Sequence, residues 1–372
     1  MKIGIDVRFW DQTGIGRYTR NLLLEISKLD KKNSYYLFTR SEDEQAVKSV
    51  LTNSNFNIIP VSIRWHSIEE QLKFPKILNK YLLDLVHFPY FSLPIFYKGN
   101  YIVTIHDLII HHFQTGRAST HPFPIYYGKR FFYKKIIQKA AKDSKAIIAV
   151  SNATASEIID HLGIEKKKIF VTHEAVDENF KDLSTQHREK FPYILYVGNA
   201  YPHKNTESFI MLMNHLRNSF PDLKLLMVGK EDFFYSRLDL EIKKNNLEGR
   251  IIRKEEVSDS DLSSLYANAQ ALIFPSLMEG FGLPILEAMS KKCIVVCSDI
   301  PSFREIASDA AIFINPINAI EMVKKVEEVL NFSASQKQKY IDAGLKNVEK
   351  YSWTKTARET LRVYETFSNI IK

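Results

Sequence analysis

The sequence predicts an α/β protein of two doubly wound, parallel-sheet domains, and three observations carry that expectation. The chain has 372 residues, more than one hydrophobic core usually supports. Short runs rich in Val, Ile and Phe alternate with longer helix-period segments from end to end, as strands covered on both faces by helices should. One stretch between two such series, "DENFKDLSTQHREKFP" from Asp177 to Pro192, is polar and lacks apolar periodicity. It reads as the linker, with the boundary near residue 180.

The first series of apolar runs is "KIGIDV" (Lys2 to Val7), "YYLFT" (Tyr35 to Thr39), "FNIIPV" (Phe56 to Val61), "LVHFP" (Leu85 to Pro89), "YIVTIHD" (Tyr101 to Asp107), "AIIAVS" (Ala146 to Ser151) and "IFVTHEAV" (Ile169 to Val176). The second is "YILYVGN" (Tyr193 to Asn199), "KLLMVGK" (Lys224 to Lys230), "IIRK" (Ile251 to Lys254), "ALIFPS" (Ala271 to Ser276), "CIVVCS" (Cys293 to Ser298) and "AAIFIN" (Ala310 to Asn315). In sheets of this kind ligands bind beyond the carboxyl ends of the strands, so the candidate sites lie in the loops that follow them, and a cleft between two facing domains is the natural active site.

Composition narrows the class. Hydrophobic residues make up 45% and aromatic ones 12%, which argues against disorder. The N-terminal "MKIGIDVRFW" lacks the apolar core of about 7 to 15 residues that marks a signal peptide, and no apolar run approaches the roughly 18 residues that span a bilayer. A cytoplasmic protein is expected. Cys293 and Cys297 fall in "CIVVC", read as a buried strand that holds them about 13 Å apart, too far for a disulfide. They read as inert thiols.

The net charge of +8 is concentrated: Ile125 to Lys145 holds seven basic residues and one acid. Tyr133, Ile136, Ile137, Ala140 and Ser144 recur at helical spacing, with Lys135, Lys139 and Lys142 on another face. This amphipathic helix is either a surface helix packed by its apolar stripe or a basic face for an anionic membrane. A nucleic-acid module would need a binding motif, and none accompanies these cations.

Glycine is scarce, thirteen in all, yet Gly14, Gly16, Gly198, Gly280 and Gly282 fall in three loops that follow runs read as strands. Such loops let main-chain N–H groups approach a phosphate. In the first, Gly14 and Gly16 precede a helix carrying Leu22, Leu23 and Ile26; the dinucleotide fingerprint lacks its third glycine, so an NAD site is disfavoured and a simple tight turn stays open. In the second, the strand ends at Gly198 and a helix expected to start near Asn205 places Lys204 at its N-terminus, where ammonium and dipole act on one anion.

The third loop is "PSLMEGFGLPILEAMS". Here Glu279-Gly280-Phe281-Gly282 forms a turn, and Pro284 suits the first position of a helix that carries Glu287. Two carboxylates would repel a diphosphate, so they should face hydrogen-bond donors such as sugar hydroxyls. The plainer reading makes Glu287 a first-turn glutamate favoured by the helix dipole and Glu279 a surface residue. "SDSD", Ser258 to Asp261, contains an Asp-x-Asp match to metal-binding transferases, but Ser258 and Asp261 read better as a helix cap.

At this point the residues resemble a known family. "FPSLMEGFGLPILEAM" is similar to the E-x7-E signature of retaining glycosyltransferases of the GT-B fold, in the large family 4 of bacterial mannosyl-, rhamnosyl- and N-acetylhexosaminyltransferases. The likeness runs in order through "TGIGRYTRNLL", "TIHDL", "IIAVSNATASEI", "VTHEAVDENF", "YVGNAYPHKN", "VSDSDLSSLYANAQALIFPSL", "SDIPSFREIASDAAIFINP" and "YSW". It implies a first Rossmann-like, acceptor-binding domain over 1–178, a nucleotide-sugar-binding domain over 179–352, and a last helix over 353–372 that crosses back to the first.

What the resemblance implies for residues is specific. Glu279 matches the glutamate that contacts the transferred sugar, Glu287 the one on the nucleotide ribose, and Lys204 the lysine that neutralises the diphosphate. Gly14 and Gly16 match the loop that closes over the phosphates, and Arg17 beside them is a donor-binding candidate. His106, with Asp107 beside it, matches the histidine that approaches the sugar from the first domain. Gly198, Asn199, Gly280, Phe281, Gly282 and Leu283 complete the donor site. Many relatives carry an arginine shortly before the lysine; Asn199 and Ala200 stand here instead, so the second cation falls to Arg17 or to a residue the sequence does not place. The family's usual Gly and Pro after the second helix become Lys292 and Ile294.

The expected reaction moves a hexose, best matched to mannose from GDP-mannose, from a nucleotide diphosphate sugar to a lipid-linked or oligosaccharide acceptor with retention and without metal or other cofactor. UDP-sugar hexosyl or N-acetylhexosaminyl transfer and a GT-B nucleotide-sugar epimerase are the alternatives. The expected place is the cytoplasm, peripheral on the inner face of the plasma membrane through Lys135, Lys139 and Lys142; no nucleic-acid partner is expected.

Overall fold

The computed structural model describes residues 1–12, 14–113, 123–182 and 189–368, with the backbone alone at 123–127, 129, 130, 182 and 368. The chain divides into two compact units. One comprises Met1–His111, Phe123–Glu174 and Ser352–Lys372; the other His112–Pro122 and Ala175–Tyr351.

The first series of elements is β1 (Lys2–Asp6), α1 (Gly14–Leu29), β2 (Ser34–Arg40), α2 (Glu44–Val50), β3 (Phe56–Val61), α3 (Ile68–Lys80), β4 (Leu85–Phe88), β5 (Tyr101–Ile105), α4 (Ile109–His112), α5 (Phe123–Asp143), β6 (Ala146–Ala149), α6 (Asn152–Leu162) and β7 (Ile169–Val171). Its seven strands are all parallel, in the order β3-β2-β1-β4-β5-β6-β7. The interior strands β4, β5 and β6 are buried at every position, whereas the edge strand β7 is half-buried throughout. The uninterrupted apolar runs in the sequence thus mark strands covered on both faces.

The second series is α7 (Glu178–Asp182), β8 (Tyr193–Val197), α8 (Ser208–Ser219), β9 (Lys224–Val228), α9 (Phe233–Lys244), β10 (Ile251–Lys254), α10 (Asp259–Asn268), β11 (Leu272–Phe274), α11 (Leu283–Ser290), β12 (Val295–Ser298), α12 (Pro301–Ala307), β13 (Ile312–Ile314), α13 (Ala319–Leu330) and α14 (Ala334–Val348). Six parallel strands follow the order β10-β9-β8-β11-β12-β13. The winding direction reverses between β8 and β11, so the loops leaving those two strands open a crevice.

The closing helix α15 (Trp353–Ser368) belongs to the first unit and packs along α1. Trp353 meets the Tyr18 ring at 5.8 Å, Thr354 donates to Glu25 at 2.6 Å, and Thr356 donates to the His173 carbonyl at 2.5 Å. Deeper in, the Tyr364 hydroxyl bonds His87, whose other nitrogen bonds Thr104, at 2.7 and 2.8 Å.

Several local expectations are corrected. Most strands stop before their apolar runs do, as β5 at Ile105, β8 at Val197 and β11 at Phe274 show, because the last residues leave the ladder to build loops. Cys293 precedes β12 and bonds its N–H to the Ala288 carbonyl, while Cys297 lies in the strand. Both thiols are buried and free, and burial pushes Cys293 up to about 12. The segment read as the linker opens with a short helix, α7, anchored by Phe180, which is buried against Tyr266. Residues 183–188 of that segment lie outside the described residues.

Helix α5 is amphipathic as its spacing predicts. Ile137, Ala140 and Ser144 are buried, Tyr133 and Ile136 half-buried, and Lys135, Lys139 and Lys142 exposed. Lys139 pairs with Asp143 one turn on. Phe131 and Phe132 are 59% and 67% exposed, and the Lys135 ammonium lies 5.5 Å from the Phe131 ring. The side chains of Lys129 and Arg130 lie outside the described set.

Candidate active site

In the second unit the loop after β8 folds tightly. The Gly198 carbonyl accepts from the Tyr235 hydroxyl at 2.6 Å, and the Asn199 carbonyl from that of Tyr196, also at 2.6 Å. Pro202–Lys204 then form one 3-10 turn, closed by Asn205 at φ +57°, a left-handed conformation that asparagine tolerates. Helix α8 begins only at Ser208. Lys204 therefore sits at the end of a separate turn and not at a helix N-terminus. That turn is held because the Asn205 side chain donates to the Pro316 carbonyl at 2.8 Å.

The turn carries Lys204 to the loop after β11, its neighbour at the reversal of the sheet. There the Lys204 ammonium meets Glu279 Oε1 at 2.5 Å, and the hydroxyl of the fully buried Ser276 donates to the same oxygen at 2.8 Å. The second carboxylate oxygen takes no hydrogen bond from the described residues. Lys204 and Glu279 are 14% and 11% exposed, so Glu279 is not the surface residue of the plainer reading. The Leu277 N–H donates to the His203 carbonyl at 2.6 Å and ties the two loops together. Burial holds the His203 imidazole down to about 4, against the pull of Glu279, so it is neutral at ordinary pH.

The same loop then starts α11. Gly282 has φ +106°, and a Cβ there would fall 2.7 Å from Phe303, whose ring is fully buried and stacks on Phe274. Only glycine meets both demands. Leu283 opens the helix, which puts Pro284 at its second position. Gly280 and Phe281 are buried, the latter edge-on to Tyr351, and Leu283 is half-buried. Glu287 is the fifth helical residue, 3% exposed, and accepts from the buried Tyr266 hydroxyl at 3.0 Å. It is past the first turn and inside, so the dipole alone does not account for it. Lys292, where the family usually has glycine, holds φ +61°.

Ser258 caps α10: its hydroxyl accepts from the Asp261 N–H at 3.1 Å and donates to the Asp261 carboxylate at 2.8 Å.

In the first unit, α1 begins at Gly14, so both glycines lie in its first turn and not ahead of it. Gly14 is exposed, and among the described residues a Cβ there would meet nothing within 4 Å. Gly16 is seated on the preceding loop, where a Cβ would meet the Trp10 carbonyl oxygen at 2.5 Å. Arg17 follows, half-buried. The loop follows a fully buried Arg8, which bonds both oxygens of Asp6 at 2.8 and 2.7 Å and Glu70 at 2.6 Å, 4.0 Å above the Phe74 ring.

His106 follows β5. Its Nε2 lies 2.9 Å from the Pro89 carbonyl and its Nδ1 3.1 Å from the Glu174 carboxylate. The Tyr18 ring meets it edge-on at 4.9 Å, and Thr154 donates to its carbonyl at 3.1 Å. Burial opposes a charge on this ring, but the Glu174 contact outweighs it and holds the imidazole above its ordinary value. The Asp107 carboxylate accepts from the Ile109 N–H at 2.9 Å.

The structure thus joins Lys204 to Glu279, engages Glu287 through Tyr266, and sets His106 on Glu174. Ser276, Tyr266, Glu174 and Arg8 are the residues that sequence reasoning missed. Ser276 alone had a local signal, three residues before Glu279; Glu174 is 68 positions from its partner.

Two doubly wound parallel sheets, with an ammonium–carboxylate pair at the reversal of the second and a glycine-started helix beside it, are those of a GT-B glycosyltransferase. Residues 12–180 match the model of Glycosyltransferase Family 4 and residues 177–346 that of Glycosyl transferases group 1, and the chain belongs to this family. It is 30% identical over 260 residues to the O-antigen chain mannosyltransferase RfbU of Salmonella typhimurium, covering 68% of this chain and 65% of that one. It is 26% identical to the O-antigen chain mannosyltransferase B of Escherichia coli, over 95% of this chain and 96% of that one. In fold it is similar to HepE of Anabaena, solved with UDP-glucose, at a TM-score of 0.72 and 14% identity over 99% of this chain and 100% of that one.

Proposed function

We propose that the protein transfers a hexose from a nucleotide diphosphate sugar to a hydroxyl of a growing surface polysaccharide, with retention of configuration and with mannose from GDP-mannose as the first candidate. The observation that carries this reading is the Lys204–Glu279 pair: one carboxylate oxygen is held by Lys204 and Ser276 while the other takes no hydrogen bond from the described residues and can accept from a sugar hydroxyl. The mannosyltransferase relatives favour the donor; the UDP-glucose bound by HepE keeps a UDP-linked hexose as the second candidate.

In this mechanism the sugar–oxygen bond to the diphosphate breaks as the acceptor hydroxyl attacks from the same face, and the departing phosphate oxygen takes the acceptor's proton. Negative charge grows on the diphosphate. Lys204 and main-chain N–H groups at the start of α11, fixed before the reaction, then stabilise the transition state more than the ground state. Lys204→Ala should lower turnover at least tenfold, corresponding to the loss of a charge-assisted contact of about 1.5 kcal/mol or more; unchanged turnover would remove Lys204 from the mechanism. Full activity in EDTA is expected, and activity that is lost there and restored by Mg²⁺ would overturn a metal-independent reaction.

The acceptor is proposed to be lipid-linked. No helix among the described residues is long and apolar enough to cross a membrane, but α5 offers exposed Phe131 and Phe132 beside Lys135, with Lys139 and Lys142 further along, a face suited to an anionic inner-leaflet surface. Vesicles rich in anionic lipid should bind the protein at low salt and release it at high salt. The donor is tested by presenting GDP-mannose, UDP-glucose and UDP-N-acetylglucosamine in turn and reading thermal protection and hydrolysis. Protection by none of them would refute the proposal.

A further inference from the structure

We propose that Glu174 is a positioning residue that keeps His106 as an imidazolium with both ring N–H groups committed inside the first unit. His106 then acts in the transfer reaction as a fixed positive charge and not as a proton donor or acceptor. This rests on the glycosyl-transfer reading above for its role and on geometry for its charge.

The geometry leaves little choice of tautomer. The Pro89 carbonyl oxygen can only accept, so Nε2 at 2.9 Å must carry a hydrogen. The remaining nitrogen, Nδ1, faces the Glu174 carboxylate at 3.1 Å. A bare Nδ1 would require a protonated Glu174; a proton on Nδ1 gives a charge-assisted hydrogen bond, the stronger arrangement.

The surroundings support the charged form. Asp107 adds a second carboxylate beside the ring. His87 from β4 is held neutral by burial, with a pKa of about 3, and its two nitrogens are taken by Tyr364 and Thr104. Tyr18 from α1 is buried and neutral, and its hydroxyl is 3.3 Å from Thr104. The ring thus faces two carboxylates, a neutral imidazole and a neutral phenol. The frame is also rigid: Thr154 holds the His106 carbonyl, and Thr356 of α15 holds the carbonyl of His173, next to Glu174. A ring whose two donors are occupied and whose proton is held cannot shuttle protons.

The test reads the ring directly. Nitrogen–proton correlation spectra of the full chain, with His106 assigned by its absence in His106→Gln, should show both ring nitrogens protonated at pH 7 and deprotonation only above the ordinary histidine range. Glu174→Gln should move that titration about one to three pH units lower, so that above it the charged fraction falls tenfold or more. The high-pH loss of transferase kcat should move down with it, and Glu174→Asp should restore most of both. A single neutral tautomer in the wild type at pH 7, or an unchanged titration in Glu174→Gln, would overturn the proposal. The wild-type spectrum decides even where the variant does not fold. Absence of turnover with every donor would instead refute the transfer reading while the spectrum still settles the pair.

Discussion

Replacing Glu279 by glutamine should change two measurable quantities in opposite directions. In the free protein the Lys204 ammonium is 2.5 Å from Glu279 Oε1, with both side chains little exposed. At the effective dielectric of a protein surface the gross attraction between unit charges at about 4 Å is about 4 kcal/mol, and exchange with water reduces the net contribution to about 1.5 kcal/mol, the low end for a hydrogen bond to a charged group. A diphosphate that binds Lys204 competes with that carboxylate. Glutamine keeps the shape and removes the competing charge, so free GDP or UDP should bind about tenfold tighter, equivalent to about 1.4 kcal/mol. Transfer needs the carboxylate as a charged acceptor for a sugar hydroxyl, a contact of about 1.5 to 3 kcal/mol, so kcat/KM should fall roughly ten- to a hundredfold. Calorimetry with the nucleoside diphosphates and initial rates with the active donor read the two effects. Diphosphate affinity that is unchanged or weaker in Glu279→Gln would refute the competition on which this reasoning depends.

Three further outcomes are expected. Tyr266→Phe removes the buried donor on Glu287 and should weaken nucleotide binding by about 1 to 2 kcal/mol, read as a five- to thirtyfold rise in Kd with little change in fold. Gly282→Ala forces a Cβ onto buried Phe303 at φ +106° and should cost about 2 to 3 kcal/mol, visible as a Tm several degrees lower. Stability should fall as the pH drops below about 6.5, because His87 and His203 are held neutral with values of about 3 and 4 while the unfolded chain takes up protons from about 6.5 downward. Each histidine can remove up to about 1.4 kcal/mol per pH unit in that window. His106 acts in the other sense and only above about pH 6.5, since its folded value is raised. Urea midpoints that stay flat from pH 6.5 to 5 would contradict the buried neutral rings.

Much of this was legible because it is local. Among the described residues twelve of the thirteen strands lie within apolar runs visible in the sequence and β2 exceeds its run only by Ser34 and Arg40, since a strand covered on both faces is apolar along most of its length. The basic face of α5, the Ser258 cap and the break at Gly282 likewise follow from spacing within a few residues. Helix starts were less legible: the turn before α8, which begins at Ser208, is tied by Asn205 to the distant Pro316 carbonyl, and α1 begins at Gly14 with Gly16 close against the Trp10 carbonyl.

The composition of the candidate site was settled at longer range. Lys204 and Glu279 are 75 positions apart and meet because the second sheet reverses between β8 and β11. Glu174 reaches His106 across 68 positions, and Arg8 reaches Glu70 across 62. Strand order is a property of long-range packing, and no local pattern encodes it. A polar residue at a loop end looks the same in sequence whether it faces water or a buried ion. Local pattern marks which segments are strands and which loops could receive an anion; long-range packing chooses which charges share those loops, because burial makes an unpaired charge costly and so selects the partner only once the chain has folded.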